Sequence, residues 1–209
     1  MASQLVDWIQ ISLSLFNQSS DRIIWNLFLA FIPLALSFYL FRLSATRNLT
    51  WWLSLLIFAS FLPNAPYILT DSIHIIELSQ NSYPTWAIVL ILIPQYVWFI
   101  TIGFEAYVIS LTKLDSYLSN LVTKKYLILV RAIVHGLCVV GIYLGRFERF
   151  NSWDLVTEPK KVIFTTWFDL LDRDRLLSLA IAFIILWLLS EMVRLTNQRI
   201  GLNRKIGLL

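Results

Sequence analysis

Residues 23–41 read Ile-Ile-Trp-Asn-Leu-Phe-Leu-Ala-Phe-Ile-Pro-Leu-Ala-Leu-Ser-Phe-Tyr-Leu-Phe, an almost unbroken apolar run in which Asn26 is the one strongly polar side chain. A helix needs about 20 such residues to cross the hydrocarbon core of a bilayer, so this stretch is long enough to span it. Similar runs recur at 49–69, 86–110, 126–145 and 176–193. Together they use about half of the 209 residues and leave no room for a separate soluble domain. Composition agrees: 58% of the chain is hydrophobic, 14% is charged, and the mean hydropathy is +0.70. Such a chain cannot be a soluble globular protein. We expect one all-α domain, a polytopic transmembrane bundle of five spans.

Two further segments are apolar but too short or too mixed to span. Residues 5–16 carry Asp7 and Gln10, lack the basic start and small-residue cleavage site of a secretory signal, and are followed by the polar pair Asp21-Arg22. This segment is expected to be an interfacial helix. Residues 160–175 place Val162, Ile163, Thr166, Trp167 and Leu170 on one side, with Lys160, Lys161, Asp169, Asp172 and Arg173 nearer the other. Such a helix would lie on the membrane, either as a connector or as a lid.

The net charge of +4 reflects loop residues that set orientation, and it does not imply nucleic-acid binding. With five spans, one side collects nine Lys and Arg and the other seven, six of them in the last loop beside six acids. Two arginines follow the first confident span and one precedes it, which places the amino terminus outside and the carboxyl terminus in the cytoplasm. The single cysteine, Cys138, excludes an internal disulfide and a multi-cysteine metal cluster. Glycine-rich phosphate loops, HExxH and GxSxG are absent, so no cofactor is implied.

Charged groups inside a span are costly unless paired or wetted, so each is a candidate functional residue. Glu105 and Arg131 lie at similar depths if their spans end at 110 and begin at 126, and are expected to pair. His135, one turn beyond Arg131 on the same face, and Arg146 further along extend a polar stripe. That stripe is either a relay or a hydrogen-bonded seam between helices. Two other segments fall on one side of the five-span arrangement. Pro63-Asn64-Ala65-Pro66-Tyr67 continues to Thr70, Asp71 and His74, and the prolines free backbone groups that need polar partners. Gly145-Arg146-Phe147-Glu148-Arg149-Phe150-Asn151-Ser152-Trp153-Asp154 closes the fourth span. Asp71, His74 and Glu77 recur every three residues, a spacing that suits proton transfer or a metal. Arg146 and Arg149 oppose a cation and favour a phosphate or carboxylate, so no metal is assigned. The expected site is an anion-favouring pocket with Asp71 and His74 catalytic and Asn64, Arg146, Arg149, Asn151 and Asp154 holding substrate. The alternative is that the loop charges neutralise one another while the aromatics anchor the loop.

These two motifs, with the hydropathy profile over roughly residues 25–195, resemble the DUF1361 family of uncharacterised bacterial multi-pass membrane proteins. The resemblance implies a bacterial membrane protein and supplies no activity; the expected location is the inner membrane. Membrane lipids are the expected partners. Three function classes stay open: action on, or binding of, a lipid or lipid-linked anion; small-solute or proton-coupled transport; and service as an assembly factor or complex subunit.

Overall fold

The computed structural model describes residues 2–44, 46–80 and 83–201, with side chains from residue 6 onward. It is a bundle of helices, and no strand occurs among the described residues. Five helical stretches are long and apolar enough to cross a membrane: Val6–Leu43, Leu49–Ser79, Thr85–Ser119, Lys124–Arg146 and Arg173–Arg199. Large apolar side chains stay exposed all around them, Trp98, Leu137, Leu177 and Leu188 among them. A soluble protein does not leave such a surface in water. This one is suited to lipid, and the chain is an integral membrane protein.

Helix α1, Ala2–Phe38, is continuous and ends in a widened turn, Tyr39–Leu43. The expected separate helix over 5–16 is therefore corrected: it is the first half of the same helix. Its polar middle does not break it because a helix satisfies its own backbone and the side chains find partners. Ser19 donates to the Gln95 side-chain oxygen at 2.9 Å, with the Leu15 carbonyl 3.2 Å from the same hydroxyl, and Ser20 donates to the Phe16 carbonyl at 2.6 Å.

Helix α2, Leu49–Phe61, starts where the Asn48 side chain accepts a hydrogen bond from the Trp51 amide at 3.0 Å. It stops before Pro63, which has no N–H to continue the ladder. The chain stays helical but changes pitch, through α3, Asn64–Tyr67, a tight turn at Ile68–Ser72 and α4, Ile73–Ser79. The second span thus runs well past residue 69. After α5, Thr85–Ala87, and a widened turn at Ile88–Leu92, helix α6 runs Ile93–Ser119. It extends nine residues beyond the expected end at 110, because Lys113 and Asp115 are charged without being helix-breaking.

A short turn joins α6 to α7, Lys124–Arg146. Then come α8, Asp154–Thr157, and α9, Pro159–Leu171. Asp172 ends the expected surface helix by capping α10, Arg173–Arg199, accepting from the amides of Asp174 and Arg175 at 3.0 Å each. Helix α6 is central and packs on α1, α3, α7 and α10. Its buried Tyr96, Phe99 and Tyr107 join Leu15, Leu40, Ile68 and Leu92 in the core.

Candidate functional site

The two motifs meet. Asn64 donates through its side-chain amide to the Ser152 hydroxyl at 2.8 Å and to the Phe61 carbonyl at 3.1 Å, the second bond satisfying a group left over where α2 stops. The close approach depends on glycine. A Cβ on Gly141 would stand 2.7 Å from the Pro63 ring, and one on Gly145 would stand 3.3 Å from the Tyr67 ring. Backbone without side chains lets α7 lie directly against the proline-bent segment.

Beyond α7 the chain reverses. Arg149 adopts φ 57, the left-handed region that a residue other than glycine rarely occupies, and the Phe150 amide returns to the Leu144 carbonyl at 3.1 Å. The Asn151 amide donates to the Asp154 carboxylate at 2.6 Å. Asp154 therefore holds the loop's shape and does not line the adjoining cavity, whose wall it was expected to join.

Behind this junction lies a cavity of about 810 Å³ bounded by α1, α2, α3, α7, the loop and α9. Its wall is mostly apolar, with Trp25, Leu137, Val140, Leu144 and Trp153 prominent. All five residues expected on the apolar side of the surface helix, Val162, Ile163, Thr166, Trp167 and Leu170, line it. The polar part of the wall includes Asn26, Asn64, Tyr67, Arg149, Asn151 and Ser152. Arg149 forms no ion pair among the described residues. Asn64, Arg149 and Asn151 thus line one cavity.

Asp71, His74 and Arg146 form a separate cluster behind that wall. Asp71 is buried; one oxygen accepts from the Asn26 amide at 2.5 Å, and the other lies 3.8 Å from His74 Nε2 and 3.9 Å from the Arg146 guanidinium. The other ring nitrogen of His74 is 2.5 Å from Glu77, whose carboxylate is exposed. Arg22 of α1 lies within electrostatic range of Asp71 and Glu77. The cluster has two acids, two arginines and one imidazole, linked from the protein surface to Asn26 on the cavity wall. Among the described residues no three His, Cys, Asp or Glu side chains are grouped to hold a metal ion.

The residues expected to pair inside the membrane do not. Glu105 accepts from the Asn197 amide of α10, while Arg131 pairs with Asp115 at 2.6 Å and lies 3.6 Å from Glu191. The cause is register. Because α6 runs to Ser119 and turns at once into α7, the residues level with Arg131 lie closer to that turn than Glu105 does. His135 is buried, bonded to the Ser190 hydroxyl at 2.7 Å through Nε2 and to the Arg131 carbonyl at 2.8 Å through Nδ1. The rings of Tyr107, Phe183 and Trp187 surround it. Arg146 faces Asp71 instead of continuing this line, so no continuous stripe from Arg131 to Arg146 forms.

Sequence reasoning missed Asn26, Ser152, Tyr67 and Arg22 at the site, and Asp115, Ser190, Glu191 and Asn197 as partners inside the bundle. Asn26 carried a usable signal, an amide alone in an apolar span.

The sequence model of a family described as "Protein of unknown function (DUF1361)" matches residues 25–189. No curated protein and no solved structure matches the chain.

Proposed function

We propose, for a chain that belongs to the DUF1361 family of proteins of unknown function, that its cavity binds an amphiphile with an anionic head, a lipid or lipid-linked substrate. The observation that carries this reading is the composition of one wall: an apolar volume of about 810 Å³ bordered by Arg149, an exposed arginine that forms no ion pair among the described residues. Pockets of several hundred Å³ suit small-molecule ligands. A charged head next to apolar surface selects an amphiphile over a free ion. Asn64, Asn151 and Ser152 supply further polar contacts beside Arg149, and α9 covers the apolar body.

Asp71 and His74 are the proposed proton-handling pair. His74 bridges a buried and an exposed carboxylate, so a proton can pass from Glu77 through the imidazole to Asp71. Asn26 joins Asp71 to the cavity wall, which puts the cluster one side chain from a bound ligand. Arg146 serves to balance Asp71.

The test is lipid retention by the purified protein, read by native mass spectrometry with extracted membrane lipids. Arg149→Gln should weaken the anionic adduct roughly tenfold, the scale of one charge-assisted contact. Ala59→Trp, which places a bulky ring against the cavity wall, should weaken it further. Unchanged retention in both variants removes the reading. Asp71→Asn should leave binding intact and remove any chemical change that the lipids of a deletion strain show to be missing.

A further inference from the structure

The end of the bundle opposite the cavity gathers cations for which the proposed function has no use. Lys113 of α6 is only 4% exposed, and its ammonium lies 3.6 Å from the centroid of the Phe38 ring. Tyr117, one turn further on, shares that face of α6. The Arg47 guanidinium is 5.7 Å from the Tyr117 ring and 6.0 Å from the Trp51 ring. This aromatic platform is held in place: Trp51 is buried, its indole N–H donates to the Leu40 carbonyl at 3.1 Å, and Phe41 packs on Tyr117. Arg42 lies within electrostatic range of Lys113.

The acids described at this end, Asp115 and Glu191, are both engaged with Arg131. Among the described residues no carboxylate forms an ion pair with Lys113 or Arg47, and the acid nearest along α6, Asp115, is committed to Arg131 at 2.6 Å. A buried ammonium beside further positive charge is costly unless an anion shares the site. The surroundings say what carries that anion. Leu43, Leu49 and Trp52, which flank Arg42, Arg47 and Trp51 in the chain, are exposed, so the phosphate arrives with apolar chains beside it.

We infer that Lys113 and Arg47, on the Phe38, Trp51 and Tyr117 platform, bind the phosphate of an anionic phospholipid. The site is independent of the cavity, lying at the start of α2 and the end of α6, whereas the cavity lies at the end of α2 and of α7. Arg47 contacts the phosphate from the exposed side and Lys113 from beneath, and the acyl chains lie along the apolar surface of the bundle.

Purified protein in mild detergent, given equal amounts of phosphatidylglycerol and phosphatidylcholine, tests this by native mass spectrometry. One phosphatidylglycerol should be retained in preference, and Arg47→Gln should weaken it roughly five- to tenfold, as expected for one cation at a membrane surface. Lys113→Gln should do the same. Because loss of a buried lysine can unfold the protein, the exposed Arg47 position is the deciding one. Arg149→Gln should leave this adduct in place, which separates it from any lipid in the cavity. Millimolar inorganic phosphate should not displace the lipid. Displacement by phosphate, equal retention of the two lipids, or an unchanged adduct in Arg47→Gln each overturns the assignment.

Discussion

Gly136 and Gly141 sit five residues apart on α7 and have opposite roles. A Cβ on Gly136 meets nothing within 4 Å, whereas one on Gly141 collides with the rigid ring of Pro63. Gly141→Ala should therefore push α7 off the proline segment and cost about 1–3 kcal/mol, the usual penalty of overpacking. Gly136→Ala should be neutral or stabilise by up to about 1 kcal/mol through helix propensity. Thermal unfolding in detergent separates the two, and equal losses would show that the glycines matter only as flexible points. Asp71 makes a second residue-level test. Asp71→Ala leaves Arg146 without its counterion in a partly buried site, so Asp71→Ala together with Arg146→Gln should be less destabilising than the sum of the single changes. A coupling of about 0.5–3 kcal/mol is the range for residues in one network. A coupling of zero would mean that the 3.9 Å approach contributes nothing. Asp71, His74 and Arg146 were legible as candidates because they follow the second and fourth spans directly, Asp71 and His74 at a three-residue spacing and Arg146 with a second arginine three residues on. The Asn26 bond to Asp71 was not, since it joins residues 45 positions apart.

At the scale of elements, α9 has the clearest assignment. Its apolar side faces the cavity, and its end is tied to α10 by the Asp169–Arg175 contact, with Asp172 capping the next helix. Asp169→Asn should loosen this junction. Hydrogen exchange should rise across residues 159–171 while α6 stays protected, and uniform protection in the variant would show that the contact does not hold α9. The pairing of α7 with α10 rests on a polar contact between helices, His135 to Ser190, set among aromatic rings. His135→Ala should cost about 2–4 kcal/mol, from the void and from the hydroxyl left with one partner fewer. If His135 acts only as this structural link, variants that keep the fold should keep lipid retention as well. The five apolar residues of α9 were legible from helical period alone. The continuity of α1 was not, because Asp21 and Arg22, which suggested a break, do not interrupt a helix that satisfies its own backbone.

For the whole molecule, the connections divide the loops between two ends. The start of α2 at Asn48 and the turn at 120–123 lie at one end, and the junction of residues 64–77 with 146–158 lies at the other. Cys138, the single cysteine, is buried, so its replacement by serine provides a background for accessibility labelling. Cysteines placed at Glu77 and Glu148 should react with an impermeant reagent from the same side, and one at Asn120 only from the other. Labelling of Glu77 and Glu148 from opposite sides would separate the motifs and dissolve the site. The sequence by itself determined the solvent and the architecture: five apolar runs of membrane length allow only helices, because a helix is the one way such a run satisfies its own backbone in lipid. It also brought the two polar motifs to the same end, since short connections alternate direction. Which side chains touch was decided only by the tertiary structure. In a bilayer the outward faces are as apolar as the core, so hydropathy does not reveal a helix's rotation or register. Arg131 could thus be recognised as needing an acid, but choosing Asp115 over Glu105 required knowing where α6 ends and which face it turns to α7.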